Sequence, residues 1–76
     1  MKIALVDDQY TVYWTAHMDR KISAIDWCMD NFGSGWGSAE TDIGPGGAGI
    51  GRHLFKFHRL YHAQWFLLRW SQFAEI

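Results

Sequence analysis

Residues 59–73, RLYHAQWFLLRWSQF, constrain the fold more than any other part of this 76-residue chain. Their residue types favour a helix, on which only a narrow band formed by His62, Arg69 and Gln72 is polar. A helix that lies on a single sheet needs an apolar arc of roughly a third of its circumference. This helix therefore carries more apolar surface than one sheet can cover.

A second copy of the chain is the simplest cover for the excess, because two-fold dimers are the commonest protein assembly. Burying two additional large aromatic side chains would contribute roughly 3–6 kcal/mol, at about 1.5–3 kcal/mol each. That gain is comparable with the whole stability of a small domain. The sequence therefore predicts a homodimer. The aromatic residues assigned to its interface are Tyr61, Trp65, Phe66 and Trp70.

The length allows a single domain, residues 1–76. Cys28 is the only cysteine, so no internal disulfide can supplement a small core. A lone thiol with apolar neighbours is more typical of a buried side chain in a reducing compartment than of a nucleophile. The apolar run at residues 3–6 is too short for a signal peptide, and no stretch approaches a membrane span. We expect a cytoplasmic protein that does not enter a membrane.

The N-terminal half predicts strands followed by a helix. Residues 2–6 are mostly apolar and residues 10–15 are rich in aromatic and β-branched side chains, which fits a hairpin or one bulged strand. Asp19 is the predicted cap of the helix that follows, and Gly33 is placed to end it. The apolar residues that recur on one face of this helix are Ile22, Ile25, Met29 and Phe32.

All eight glycines and the only proline lie in residues 33–51. This composition predicts a glycine-rich loop, with room for a strand around residues 36–43 and a loop over residues 44–51. The run HLFKF then favours a strand before the closing helix, although one helix over residues 52–73 also fits the spacing. The expected fold is a two-layer α+β domain, with three or four mainly antiparallel strands and both helices on one face.

Two short motifs match the sequence patterns of known binding sites, but the chain lacks the surrounding fold that each site requires. The opening MKIALVDDQ resembles the start of a phosphate-receiver domain, but the chain is too short for that doubly wound fold. Asp7 and Asp8 are therefore interpreted as solvated turn residues. Residues 44–49, GPGGAG, match the dinucleotide pattern G-x-G-x-x-G, yet a strand rather than a helix is expected to follow. They are interpreted as a connector.

Residues that could carry catalysis or bind a metal are sparse. His58 and His62 are four apart, a spacing used by zinc ligands on helices, but no third ligand lies nearby in the sequence. Cys28 with a histidine, or Asp26 with Asp30, would be the starting points for an enzyme, and no motif supports either. We expect no catalytic residue, no cofactor and no metal.

The last third of the chain is basic and aromatic. Residues 1–51 hold three basic residues against seven acidic ones, a net charge of −4, whereas residues 52–76 hold four against one, a net charge of +3. Arg52, Lys56 and Arg59 could contact phosphates. The neighbouring aromatic side chains that could stack on bases are Phe55, Phe57 and Tyr61. Binding of single-stranded nucleic acid by residues 52–69 is therefore the alternative function, opposed by the overall charge of −1.

Two segments, AIDWCMDNFG at residues 24–33 and FKFHRLYHAQWFLLRW at residues 55–70, resemble small uncharacterised proteins of tailed phages, especially marine ones. In that family a Phe-x-Phe strand precedes a closing helix with the pattern Ala-x-x-Phe-x-Leu-Arg-Trp. The matching residues here are Ala63, Phe66, Leu68, Arg69 and Trp70. The resemblance covers about a third of the chain and implies a compact α+β domain of viral origin, without an assigned activity.

Together these features predict a small phage-type accessory protein that works by protein–protein interaction. Its expected partners are a second copy of itself and a host or viral protein. A viral origin would place it in the cytoplasm of the host cell.

Overall fold

The computed structural model describes residues 2–44 and 49–74. Its strands are β1 (Ile3–Val6), β2 (Gln9–His17), β3 (Gly37–Ile43) and β4 (Ile50–Phe57). Helix α1 (Met18–Phe32) connects β2 to β3, and helix α2 (Leu60–Trp70) follows β4 and continues into a short 3-10 turn, Ser71–Phe73. The strands form one antiparallel sheet in the order β1-β2-β4-β3, which confirms the predicted α+β fold.

β1 and β2 form a hairpin with a two-residue turn. Val6 pairs with Gln9, and Asp7 and Asp8 lie between them with left-handed φ angles of 51° and 64°. Two consecutive left-handed residues are typical of the type I′ turn, whose twist matches that of the flanking strands. The two aspartates are exposed turn residues, as predicted, and the alternative of one bulged strand is wrong.

Alternate residues of β2 and β4 form the core face of the sheet. Val12 pairs with Phe55 and Trp14 with His53, and all four side chains are buried. Both helices lie on this face. Ring centroids of Trp14 and Phe66 of α2 are 5.5 Å apart with perpendicular planes, the edge-to-face contact that aromatic pairs prefer. From α1, Ala24 and Cys28 are buried against the same face.

Helix α1 begins earlier than the sequence predicts. β2 runs into α1 without a linker, so His17 is the last extended residue, and its Nδ1 accepts a hydrogen bond from the backbone N–H of Asp19 at 3.2 Å. Asp19 therefore lies in the first turn, and its prediction as the cap is wrong. The predicted stop is confirmed, because Gly33 adopts a φ of 80° and its N–H donates to the carbonyl of Met29.

The buried face of α1 is also rotated from the predicted one. Two of the four predicted residues, Ile25 and Phe32, pack against the core, but Ile22 and Met29 are 59% and 45% exposed. The fully buried residues of α1 are Ala24 and Cys28. Trp27 explains the rotation. Its ring lies between the helices, with centroids 6.4 Å from Phe66 and 6.2 Å from Trp70 on α2. α1 therefore turns its Trp27 side toward α2 and leaves the opposite flank in solvent.

The glycine-rich region contains less loop than the sequence predicts. β3 occupies residues 37–43 of it, and β4 begins at Ile50, so the prediction of a loop through residue 51 is wrong at that end. Most of the GPGGAG motif, residues 45–48, lies outside the described residues. Residues 52–73 form a strand followed by a helix, because β4 pairs with both β2 and β3. Neither helix of the described ranges is long and apolar enough to cross a membrane.

Candidate interaction surface

Helix α2 divides into an inner and an outer face. The inner face packs on the sheet and α1 through four buried residues: His62, Ala63, Phe66 and Trp70. The outer face points away from the sheet and carries Tyr61, Trp65 and Leu68, which recur at the spacing of one helical face. These three side chains are 52%, 53% and 83% exposed. The rest of the subunit therefore covers the inner face of α2 and leaves the apolar outer face exposed.

The predicted interface residues are therefore split between the two faces. Tyr61 and Trp65 are on the outer face, as an interface requires. Phe66 and Trp70 are 0% and 4% exposed, so the prediction that they contribute to an interface is wrong. Phe66 stacks on Phe55 of β4 with centroids 4.5 Å apart, and both aromatic rings complete the core of their own subunit.

The sequence interpretation missed Leu68 as a surface residue. Among the residues that the structure describes, it is the most exposed large apolar side chain. Its signal was present in the chain, since Leu68 follows Tyr61 and Trp65 at the i+7 and i+3 positions. A shallow hollow lined by Gln64, Trp65, Leu67 and Leu68 adjoins these side chains. The outer face of α2 is thus both apolar and uneven in shape, which suits a packed contact.

The chemistry of His62 keeps this surface uncharged. Its imidazole stacks on Phe32 of α1 with centroids 3.9 Å apart and planes 15° apart. Burial, and then the nearby positive charge of Arg59, lower the pKa of His62 below its ordinary value. With His62 neutral, the charged residues of α2 and its N-cap are Arg59 and Arg69, one at each end.

The neighbouring outer face of α1 has the opposite sign. It carries the exposed acidic residues Asp19, Asp26 and Asp30, while the exposed Arg20 of the same helix stacks on Phe73 near Arg69. The two helices run antiparallel, because Trp27 of α1 contacts Trp70 of α2 and Phe32 contacts His62. The outer surface of the helix layer therefore consists of an acidic strip on α1 beside an apolar strip on α2 with basic ends.

The residues of the nucleic-acid alternative do not form a common surface. Arg52 donates two hydrogen bonds to the carboxylate of Asp42 on β3, and these lower the pKa of that carboxyl. The Nζ of Lys56 lies 2.7 Å from Oε1 of Glu40, also on β3. Both cations are thus paired with carboxylates on the face of the sheet that the helices do not cover. Arg59 is exposed at the start of α2.

The aromatic part of that alternative lies elsewhere. Phe55 and Phe57, the strand residues expected to stack on bases, are fully buried on the opposite, helix-covered face. Tyr61 is exposed, but on the far side of the helix layer from Arg52 and Lys56. Binding of single-stranded nucleic acid stays a prediction that no arrangement of the described residues favours.

The residues considered for catalysis or metal binding are also dispersed. Burial raises the pKa of the Cys28 thiol to about 12, so that thiol is protonated at neutral pH. His58 precedes α2 and is exposed, whereas His62 is buried within it, so the two are not on one helical face. Within residues 2–44 and 49–74, no group of three or more His, Cys, Asp or Glu side chains is placed to hold a metal ion.

The fold defines a small two-layer α+β protein, in which two antiparallel helices cover one face of a four-stranded antiparallel sheet. Comparisons of the chain with protein-family models, curated proteins and solved structures gave no match.

Proposed function

We propose that this chain is a small accessory protein that acts by protein–protein interaction and self-associates through the outer face of α2. One observation supports this proposal above the others. Three large apolar side chains, Tyr61, Trp65 and Leu68, lie in one row on a short helix whose opposite face is already buried. An apolar row of this kind marks interaction sites on protein surfaces.

The row suits a second copy of the same chain. A two-fold contact requires a patch that is complementary to itself. If two α2 helices pack antiparallel about an axis near Trp65, Tyr61 of each copy lies opposite Leu68 of the other. An aromatic ring then meets a branched aliphatic side chain twice, and the hollow beside Leu68 offers room for the ring.

The charges around the row favour the same partner. Asp26 and Asp30 are exposed on α1, and Arg59 and Arg69 are exposed at the two ends of the neighbouring helix α2. In a contact between two helix layers, the acidic strip of one copy can approach the basic ends of the other. Such complementary rims fix orientation and raise the association rate more than they raise affinity.

The resemblance to tailed-phage proteins belongs to this proposal as the biological setting. A small accessory protein of that kind would use the same apolar row to bind itself and a host or viral protein in the cytoplasm of the host cell. Light scattering and capture experiments on the intact chain address these two partners separately.

Sedimentation equilibrium of the intact chain and two lysine variants tests the self-association. We expect Leu68→Lys to weaken association at least about 100-fold, because a two-fold contact loses two leucines at about 1.5–3 kcal/mol each. Ile22→Lys is the matched control, since Ile22 is a 59% exposed apolar residue on the far flank of α1. It should leave association unchanged.

Two results would overturn the proposal. One is a wild-type chain that stays monomeric up to about 100 μM, since a dissociation constant above that value leaves less than about 5.5 kcal/mol of association free energy. The other is an equal effect, or no effect, of the two lysine substitutions. Far-UV circular dichroism of both variants checks that each remains folded.

A further inference from the structure

Besides the outer face of α2, the outer edge of β1 is a second candidate contact surface. β1 pairs with β2 on one side only, and its sequence, IALV, contains no charge. Leu5 is 64% exposed and Val6 38%. The other edge strand, β3, is different, because it carries Glu40 and Asp42 in ion pairs and has a bulge between Thr41 and Ile43. Charges and bulges discourage strand addition, so only the β1 edge is left open to it.

Hairpin geometry identifies the free backbone groups of this edge. In a two-residue hairpin, the residues that flank the turn exchange both of their hydrogen bonds, and this pattern repeats at every second residue. Val6 with Gln9 and Ala4 with Thr11 are the pairs of this kind. The N–H and C=O groups of Ile3 and Leu5 therefore point outward, away from β2.

We propose that β1 is a strand-addition site for β1 of a second copy, paired antiparallel about a two-fold axis perpendicular to the sheet. Such an axis keeps the helices of both copies on the same side, so residues of the same face must lie opposite each other. The register that uses all outward groups places Ile3 opposite the partner's Leu5, and Ala4 opposite the partner's Ala4. The result is a continuous antiparallel sheet of eight strands.

The ends of β1 are complementary in charge in this arrangement. Lys2 precedes the strand, and Asp7 and Asp8 follow it. Antiparallel pairing places Lys2 of each copy next to the aspartate turn of the other, so the attraction occurs twice. A heterologous strand would have to supply both charges in the same order, whereas a second copy supplies them by symmetry.

The apolar side chains beside the edge would also be covered. Leu5 lies on the helix-bearing face, since it is opposite Tyr10, which in turn is opposite the buried Phe57. Lys21 of α1 donates a hydrogen bond to Thr41 of β3, so α1 lies toward β3 and α2 toward β1. Leu60 is 43% exposed and lies on the flank of α2 that faces away from α1.

Standard spacings bring the two α2 helices together above the new sheet. Strands lie about 4.8 Å apart and packed helices about 8–10 Å apart. Two helices on four strands therefore place α2 about 5 Å from a two-fold axis beside β1. The two copies of α2 would then lie roughly 10 Å apart, which is a normal packing distance. Leu5 and Leu60 of both copies would be buried between them.

This contact goes beyond the proposed function, because it uses the edge of β1 and the flank of α2 rather than the row of Tyr61, Trp65 and Leu68. The two surfaces point in different directions, so one chain can use both. Two different two-fold contacts on one subunit produce assemblies larger than a dimer.

Disulfide trapping with a single introduced cysteine tests the register directly. In the proposed pairing the two Ala4 residues form a non-hydrogen-bonded pair, with Cα atoms about 4.5 Å apart, a distance that a disulfide can span. The oxidant diamide should therefore convert Ala4→Cys into a covalent dimer on a non-reducing gel. The native Cys28 is fully buried and does not compete.

Val6→Cys is the matched control on the same strand and the same face of the sheet. In the proposed register the two Val6 residues are four positions apart, or about 13 Å, and cannot be bridged. We expect its cross-linking to be at least about tenfold slower than that of Ala4→Cys. Adding Leu5→Lys to the Ala4→Cys chain should slow trapping, because it puts a charge into the pairing edge.

The outcomes separate this inference from the proposed function. Failure of Ala4→Cys to cross-link, or equal rates for Ala4→Cys and Val6→Cys, would overturn the β1 contact while leaving the effect of Leu68→Lys intact. Efficient cross-linking of Ala4→Cys would support β1 pairing. If Leu68→Lys then associates as strongly as the wild type, the α2 contact is rejected. Sedimentation of Leu5→Lys in the otherwise native chain gives an independent check without cysteine, and a mass equal to wild type would contradict strand addition.

Discussion

The Nε2 atom of His53 lies 2.9 Å from the carbonyl oxygen of Ala16 inside the core. A carbonyl only accepts hydrogen bonds, so Nε2 carries the proton of the ring. The other nitrogen, Nδ1, lies 2.8 Å from the hydroxyl of Thr41 and accepts a hydrogen bond from it. The same hydroxyl oxygen accepts a hydrogen bond from Nζ of Lys21 at 2.8 Å. This network satisfies a fully buried, neutral imidazole beside a positive charge.

His53 makes stability depend on pH. Burial, and to a smaller extent the charge of Lys21, lower the pKa of His53. Burial also lowers the pKa of His62. Below the ordinary histidine pKa of about 6.5, the unfolded chain binds protons that the folded chain does not, so the free energy of unfolding falls with decreasing pH. We expect a plateau above about pH 7 and a limiting slope of about 1.4 kcal/mol per pH unit for each histidine below it.

Urea unfolding at several pH values between 5 and 8 measures this dependence. His53→Gln keeps polar atoms at the site without a titrating group, so it should lower stability at pH 8 and flatten the slope. His58→Gln is the control, since His58 is exposed. The ion pair between Asp42 and Arg52 is lost in a separate pH range, below about pH 4, because Arg52 lowers the pKa of the Asp42 carboxyl. Equal stability at pH 5 and pH 7 would contradict the prediction.

Gly37 is required at the start of β3. Its φ is 144°, and a Cβ atom there would overlap the carbonyl oxygen of Lys56 on the paired strand. We expect Gly37→Ala to cost at least about 2 kcal/mol, because backbone must move on both strands. Gly35→Ala is the matched control two residues earlier, where an added methyl group meets nothing within 4 Å. Thermal unfolding compares the two variants, and similar Tm values would show that the close approach is unimportant.

The aspartate turn can be improved. Asp8 has a φ of 64°, in the second position of a turn that favours glycine there. Asp8→Gly should raise the free energy of unfolding by about 0.5–1 kcal/mol, or Tm by about 2–8 °C in a domain of this size. Asp8→Asn removes the same charge without the freedom of glycine, so it should give a smaller gain. An equal gain for asparagine would attribute the effect to charge repulsion between Asp7 and Asp8 and would contradict the role of backbone freedom.

Local chemistry made much of the fold predictable. Alternating and helical spacings located the first hairpin and both helices, and Gly33 ended α1 because glycine tolerates its φ of 80°. Asp7 and Asp8 were recognisable as a turn for a similar reason, since short polar side chains tolerate left-handed backbone. The cap of α1 was missed, because an imidazole is not among the usual capping groups.

The candidate surface was only half predictable. A helical wheel orders side chains around an axis, so the excess of apolar residues on α2 was evident from its sequence. The wheel does not say which sector meets the sheet. Packing against Trp14 and Phe55 turned Phe66 and Trp70 inward and left Trp65 outside.

The sequence by itself determined the class of fold, the limits of most elements and the surplus of apolar surface, because each depends on the spacing of neighbouring residues. The tertiary structure alone decided the rotation of each helix, the burial of His53 and the pairing of Arg52 and Lys56 with carboxylates of β3. Those features depend on contacts between residues that are distant in the chain. Such contacts arise only when the strands have paired and the helices have packed against them.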